Sequence, residues 1–386
     1  MRENTQLFNK LGRLFRSRCF ETLELFPAAW SYFSTTVRRL DTRKSAAIDL
    51  VEAAYSLPTD ESAWLEAVLR AGLPVVGNAV FASGMIYSRP PGARSARVQT
   101  WKHVGALDHM QGAVREYANK VPRVEERLLL RIGTANTVSQ ISPGSRQLCQ
   151  SFAAKTGVAA DALLLNALEP DGRGATVAIF LPVETRLKPD ERRRWKMLGA
   201  HVTAGHRVRR AVASMNSDPG PLPFGADAVV DPTTFRVTDA AGCGKDQSLV
   251  QTLRDSARRV DHARGRLRKT NPDEALKTWQ ALVRGRWSML DWFDSDGRRF
   301  VLAIPNPPAL GDPRGLTERE HQVATYAALG ETGKLIGYRL GLAKATVSNA
   351  LDSAMRKLSA KTQPELVAKM RGFTKHFSQA TTTEPD

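Results

Sequence analysis

The sequence predicts an α+β protein that closes in a separate all-α domain of four helices, on three observations. Between residues 46 and 305, stretches with apolar residues every three or four positions alternate with short runs rich in β-branched and aromatic residues. Prolines and glycines cluster at 217–223 and again at 305–315, where they resist both helix and ladder. After Leu316 the strand-like runs stop and only helical spacing remains.

A chain of 386 residues exceeds one typical domain of roughly 100–200 residues. The predicted units are a basic helical extension over 1–45, an α/β domain over 46–216, a smaller α/β module over 224–305, the helical domain over 316–372 and a disordered tail over 373–386. Apolar residues at 42% allow sizeable cores. The net charge of +17 favours a polyanionic partner, because each neutralised phosphate releases condensed counterions. An anionic membrane surface would attract the same charge, but no run approaches the roughly 20 apolar residues of a membrane span, and the N-terminus does not read as a secretory signal. Cys19, Cys149 and Cys243 stand far apart without a C-x-x-C pair. Neither a zinc ribbon nor a disulfide framework is expected, and a reducing cytoplasm fits.

Within 46–216, Ala47 to Tyr55 repeats apolar residues at helical spacing, and Pro58-Thr59-Asp60-Glu61 opens a second helix through Trp64, Leu65, Val68 and Leu69. Strands are expected over 78–87 and 98–104, then helices over 108–120, 124–133 and 144–156. Glu169-Pro170-Asp171-Gly172-Arg173-Gly174 supplies the fixed and positive φ angles of a hairpin between strands 162–168 and 175–183. A long helix starts at Pro189, with Trp195, Leu198, Val202 and Val208 as its apolar stripe and its arginines and lysines expected on the remaining face. This element order resembles a GAF-type sensory domain. Beyond the linker, a hairpin over 228–240, helices over 247–268 and 272–284, and a second hairpin over 286–304 are similar in outline to a PAS-like module.

In the last domain, Thr317 and Glu320 have the spacing of a capping box. Val323, Ala327 and Ala328 give the first helix its stripe, and Gly330 ends it. Lys334–Leu340 forms a short second helix. Gly341-Leu342-Ala343 is a tight turn, and a third helix over 344–358 faces the core with Val347, Leu351, Ala354, Met355 and Leu358. Lys344, Ser348, Asn349 and Asp352 fall on its opposite face, where a major-groove reader carries its contacts. A fourth helix over 364–370 presents Leu366, Val367 and Met370 as a dimer stripe.

These positions are similar to the LuxR-type helix-turn-helix domain: Leu316-Thr317-x-Arg319-Glu320, then Gly330, Lys334, Ile336, Leu340-Gly341, Thr346-Val347 and Lys357-Leu358. The resemblance implies a cytoplasmic, dimeric transcription regulator that binds double-stranded DNA, with RNA polymerase as a further partner and an unidentified small-molecule or protein signal. It carries Lys334, Lys344 and Thr346 to phosphates and Ser348, Asn349 and Asp352 to base edges, with Arg356 completing the DNA-facing set. No cofactor or enzymatic activity is implied. Four residues depart from the family pattern. Ala343 replaces the usual serine N-cap, Leu335 a common glutamate, Ala350 a common histidine, and Asp352 a frequent basic residue. The rival reading is a signal- or protein-interaction module whose degenerate DNA-binding domain acts by sequestering a partner.

Other signals are set aside. Gly242-Cys243-Gly244-Lys245 lacks the flanking residues of a phosphate loop, with Asp239 and Asp246 in their places. Asp294-Ser295-Asp296-Gly297 lacks the terminal ligands of a calcium loop. His201 and His206 are five apart on one helix, the wrong spacing for a shared metal. Trp287, Trp292 and Phe293 are assigned to a core.

Overall fold

The computed structural model describes residues 38–39 and 43–370, apart from 58–59, 90–95, 121–134, 142, 170–171, 216–219 and 307–315. The extension over 1–45 lies almost wholly outside the described residues, as do the helix expected over 124–133 and the tail over 373–386.

Two helices, α1 (Ala47–Tyr55) and α2 (Glu61–Gly72), lead into a five-stranded antiparallel sheet. Asp60 caps α2 by accepting from the Ala63 amide. The strands are β1 (Phe81–Ser88), β2 (Arg97–Val104), β3 (Ala135–Thr137), β4 (Asp161–Leu168) and β5 (Arg173–Leu181), in the spatial order β2-β1-β5-β4-β3. The predicted β4–β5 hairpin pairs Asp161 with Leu181 through to Leu168 with Gly174. Helices α3 (Asp108–Lys120) and α4 (Pro143–Thr156) pack together, with Phe81, Met110, Val114, Phe152 and Phe180 forming a small apolar cluster. The opposite face belongs to a larger core that includes α1, α2 and the long helix α5 (Pro189–Met215).

The second sheet is formed by β6 (Ala228–Val230), β7 (Val237–Ala240), β8 (Trp287–Phe293) and β9 (Arg299–Pro305), in the order β8-β9-β6-β7 and antiparallel throughout. Between its hairpins lie α6 (Gln247–His262) and α7 (Pro272–Thr278). The N-terminal sheet region is compatible with a GAF/PAS-like fold. The helix expected over 272–284 stops at Thr278, because Trp279, Ala281, Leu282 and Val283 are drawn individually into the core and Val283 bridges to Trp287. Trp287 is fully buried and donates its indole N–H to Asp227 at 2.8 Å, whereas Phe293 is 60% exposed and has no core role.

Four helices close the chain: α8 (Glu318–Ala328), α9 (Gly333–Leu340), α10 (Lys344–Lys357) and a last helix, α11, over 363–370. One continuous core runs from Ala46 to Met370 through all three units. Helix α5 is its axis. It approaches α1 so closely that a Cβ on Gly205 would lie 2.0 Å from the Ala54 carbonyl oxygen.

This central position buries part of the basic face of α5. Arg194 and Arg209 are buried, and Arg207 is nearly so, because neighbouring elements cover them and bring carboxylates: Asp273 of the second module to Arg194 at 2.7 Å, and, from the same unit as α5, Glu61 to Arg209 at 3.8 Å and Glu169 to Arg207 at 2.6 Å. No helix among the described residues is long and apolar enough to cross a membrane.

Candidate nucleic-acid interface

The terminal domain is assembled by local chemistry that its sequence announces. Thr317 accepts from the Glu320 amide while the Glu320 carboxylate accepts from the Thr317 amide at 2.8 Å, completing the capping box. The same carboxylate accepts from Ser353 at 2.6 Å and from Lys357 at 2.7 Å, fastening α8 to α10. Burial alone would raise the Glu320 carboxyl, but these donors outweigh it and bring its pKa down to about 2.

Thr332 caps α9 through the Leu335 amide. Gly341 then takes a left-handed conformation, φ +63°, that turns the chain into α10. A side chain there would also strike the Leu282 carbonyl oxygen, 2.1 Å from an ideal Cβ, so the turn is seated against the second α/β module. Helix α10 starts at Lys344 without a side-chain cap, since Ala343 has no acceptor to offer.

On α10, Val347, Ala350 and Ala354 are buried, and Lys344, Ser348, Asn349, Asp352 and Arg356 are exposed on the opposite side. Thr346 is half-buried at its edge. Lys334 is exposed in the first turn of α9. The seven predicted DNA-facing residues thus lie on the two helices of one helix-turn-helix. The predicted dimer stripe differs from its expectation. Leu366 is fully buried and Met370 nearly so, both in the domain's own core, because α11 folds back on the other helices; Val367 is half-buried.

Sequence reasoning missed the opposite face of the domain. Helix α9 packs on α5, and Tyr338 passes its hydroxyl into a buried set of polar groups. His201 sits between two tyrosines, with Nε2 2.7 Å from the Tyr338 oxygen and Nδ1 3.1 Å from the Tyr55 oxygen. Tyr338 lies within donating reach of the Leu276 carbonyl at 2.6 Å, and Tyr55 donates to the Ala281 carbonyl at 3.0 Å. A neutral imidazole has one N–H and one lone pair, so one tyrosine accepts from His201 and the other donates to it. Burial holds the His201 pKa down at about 3, keeping the ring neutral.

A second seam lies alongside. Arg207 of α5 donates to both oxygens of Glu169, in the β4–β5 turn, and to the Tyr326 hydroxyl of α8 at 2.9 Å. The Arg339 guanidinium lies 4.9 Å from the centre of the Tyr326 ring and forms a buried ion pair with Glu331 at 2.7 Å. The signal for this docking face was present. Leu335, where the family pattern favours an acid, lines the cleft between α9 and α5, and aromatic residues stand at 326 and 338.

Residues 314–370 match the family model of bacterial regulatory proteins of the luxR family. This segment is a LuxR-type helix-turn-helix domain, and the chain carries the DNA-binding part of a transcription regulator at its C-terminal side. No curated protein matches the chain.

Proposed function

We propose that the protein reads a specific duplex sequence as a dimer and does so under control of its two sensory modules, by binding rather than by catalysis. The observation that carries this reading is the open face of α10, with Lys344, Ser348, Asn349, Asp352 and Arg356 exposed while the rest of the domain is locked to the sensory units. A helix so presented fits the major groove, and two copies reading half-sites about one helical turn apart supply the specificity that one short helix lacks.

The route from signal to DNA runs through α5. One face of this helix belongs to the core of the first sheet, and the other carries His201 and Arg207 to Tyr338 and Tyr326. A small-molecule or protein signal that shifts α5 therefore shifts the helix-turn-helix with it and changes how two copies are presented to DNA.

Selection from a random duplex pool at moderate salt tests the reading. The purified chain enriches one sequence, and Asn349→Ala relaxes preference at one position at a cost of about 1–3 kcal/mol, as expected for a bidentate contact to an adenine edge. Enrichment of no sequence rejects sequence-specific regulation and leaves the sequestering role, for which Asp352 among the would-be base contacts speaks.

A further inference from the structure

The terminal domain is short of charge for its task. Leu316 to Met370 holds eight Lys/Arg against five Asp/Glu, a net +3 of the chain's +17. Part of the remainder is concentrated beside it. A cleft of about 1010 Å³ opens between the first turns of α5 and α9 and the end of α7, and seven cations line it against the carboxylates of Asp190 and Asp273.

These carboxylates do not neutralise it. Asp273 is taken by Arg194 and by Lys44 at 3.1 Å, and Asp190 by Arg193. Lys277 is paired with the exposed Glu274 at 3.3 Å, and among the described residues Lys196 and Lys334 have no carboxylate partner and Arg192 reaches only the Asn136 side-chain oxygen at 3.5 Å. Arg194 adds a sharper sign: its side chain is 8% exposed, yet its buried Nη1 has no hydrogen-bond acceptor. A buried guanidinium nitrogen without an acceptor carries a desolvation cost that an anion in the cleft would remove. A second basic cleft, around Arg264 and Arg268, differs in that Asp291, Glu52 and Asp49 already occupy those two arginines.

Position identifies the anion. In a helix-turn-helix the first helix crosses the phosphate backbone beside the groove that the second one reads. Here that first helix is α9, and α5 runs beside it in the same sense: their first turns line one cleft, and His201 meets Tyr338 further along both. At a rise of about 1.5 Å per residue, Arg192 lies roughly 13 Å ahead of the meeting point and Thr332 roughly 9 Å, so α5 reaches beyond α9 toward the side where the backbone passes.

We propose that this cleft is a second DNA-contact surface, on which Arg192, Arg193, Lys196 and Lys277 engage backbone phosphates flanking the site read by α10. The proposal rests on the DNA-binding reading above. It makes the sensory helix α5 part of the footprint, and a signal acting on α5 then alters phosphate contacts directly.

The test uses the full chain and a labelled selected duplex, with binding followed by fluorescence anisotropy across a potassium chloride series. The triple variant Arg193→Ala/Lys196→Ala/Lys277→Ala is expected to weaken selected and unrelated duplexes alike, tenfold or more at fixed salt. Its log–log salt slope should fall by about 2–3, at roughly 0.9 per lost phosphate contact. Should the triple variant lose its native circular dichroism, the single variant Lys196→Ala is read instead, with an expected fall of about 0.9. A slope unchanged in these variants but lowered by Lys344→Ala overturns the proposal and leaves the DNA-binding reading standing. An unchanged slope with inorganic pyrophosphate raising the melting temperature of the wild type, but not of the variant, assigns the cleft to a free anion and equally overturns it. Failure of the wild type to bind any duplex sinks both.

Discussion

The two faces of the helix-turn-helix domain are built on opposite principles. The reading face on α10 is exposed, uncapped at its start and carries an aspartate among its would-be base contacts. The docking face on α8 and α9 is buried and hydrogen-bonded, with Tyr338 on His201, Tyr326 on Arg207, and the turn at Gly341 pressed against the Leu282 carbonyl. Buried contacts are concentrated where the domain meets α5 and the second sheet module, and the outward face of α10 carries few of them. The two departures from the family pattern at 335 and 343 divide along the same line. Leu335 lies on the docking side, at the cleft between α9 and α5, and Ala343 forgoes the cap of the reading helix.

Substitutions break this contrast unequally. The largest effect is expected from Arg207→Ala, which strands the nearly buried Glu169 carboxylate and costs about 3–5 kcal/mol in urea unfolding. The double variant Arg207→Met/Glu169→Leu should recover much of it, since no charge is then left unpaired. Next comes acid. The folded-state pKa of His201, about 3, lies below its ordinary 6.5, so as the pH falls the unfolded chain takes up the proton first. Its contribution is fully present above 6.5 and is lost from there down to about 3, at up to about 1.4 kcal/mol per pH unit. His201→Gln should flatten this component of the unfolding free energy measured against pH. Tyr338→Phe leaves the buried His201 ring nitrogen short of a partner, for about 1–3 kcal/mol, and calorimetry should show the single transition of the wild type dividing in two.

On the reading face the effects are smaller. Ala343→Ser restores an N-cap and should stabilise α10 by about 1 kcal/mol. Asp352→Lys replaces a repelling carboxylate with a phosphate contact, and the salt slope of binding should steepen by about 0.9.

Much of this architecture was legible residue by residue. The β4–β5 hairpin, the capping box of Thr317 and Glu320 and the exposed side of α10 all follow from local spacing, and each appears at the expected place. What local spacing does not encode is which polar residue will meet which across the chain. The arginines of α5 read only as the face opposite its apolar stripe, because their carboxylate partners, Glu169, Asp273 and Glu61, lie 38 to 148 positions away. Leu366 and Met370 read as a dimer stripe for the same reason. An apolar helix face announces burial but not the surface that buries it, and here that surface is the domain's own core.

The central claim is that the domain binds DNA while still docked on α5. Hydrogen exchange of the full chain with and without the selected duplex tests it most directly. New protection is expected over 344–356, with the amides of 199–209 and 333–340 as slow in the complex as in the free protein. Faster exchange along those two segments on binding, or no added protection over 344–356, would contradict it.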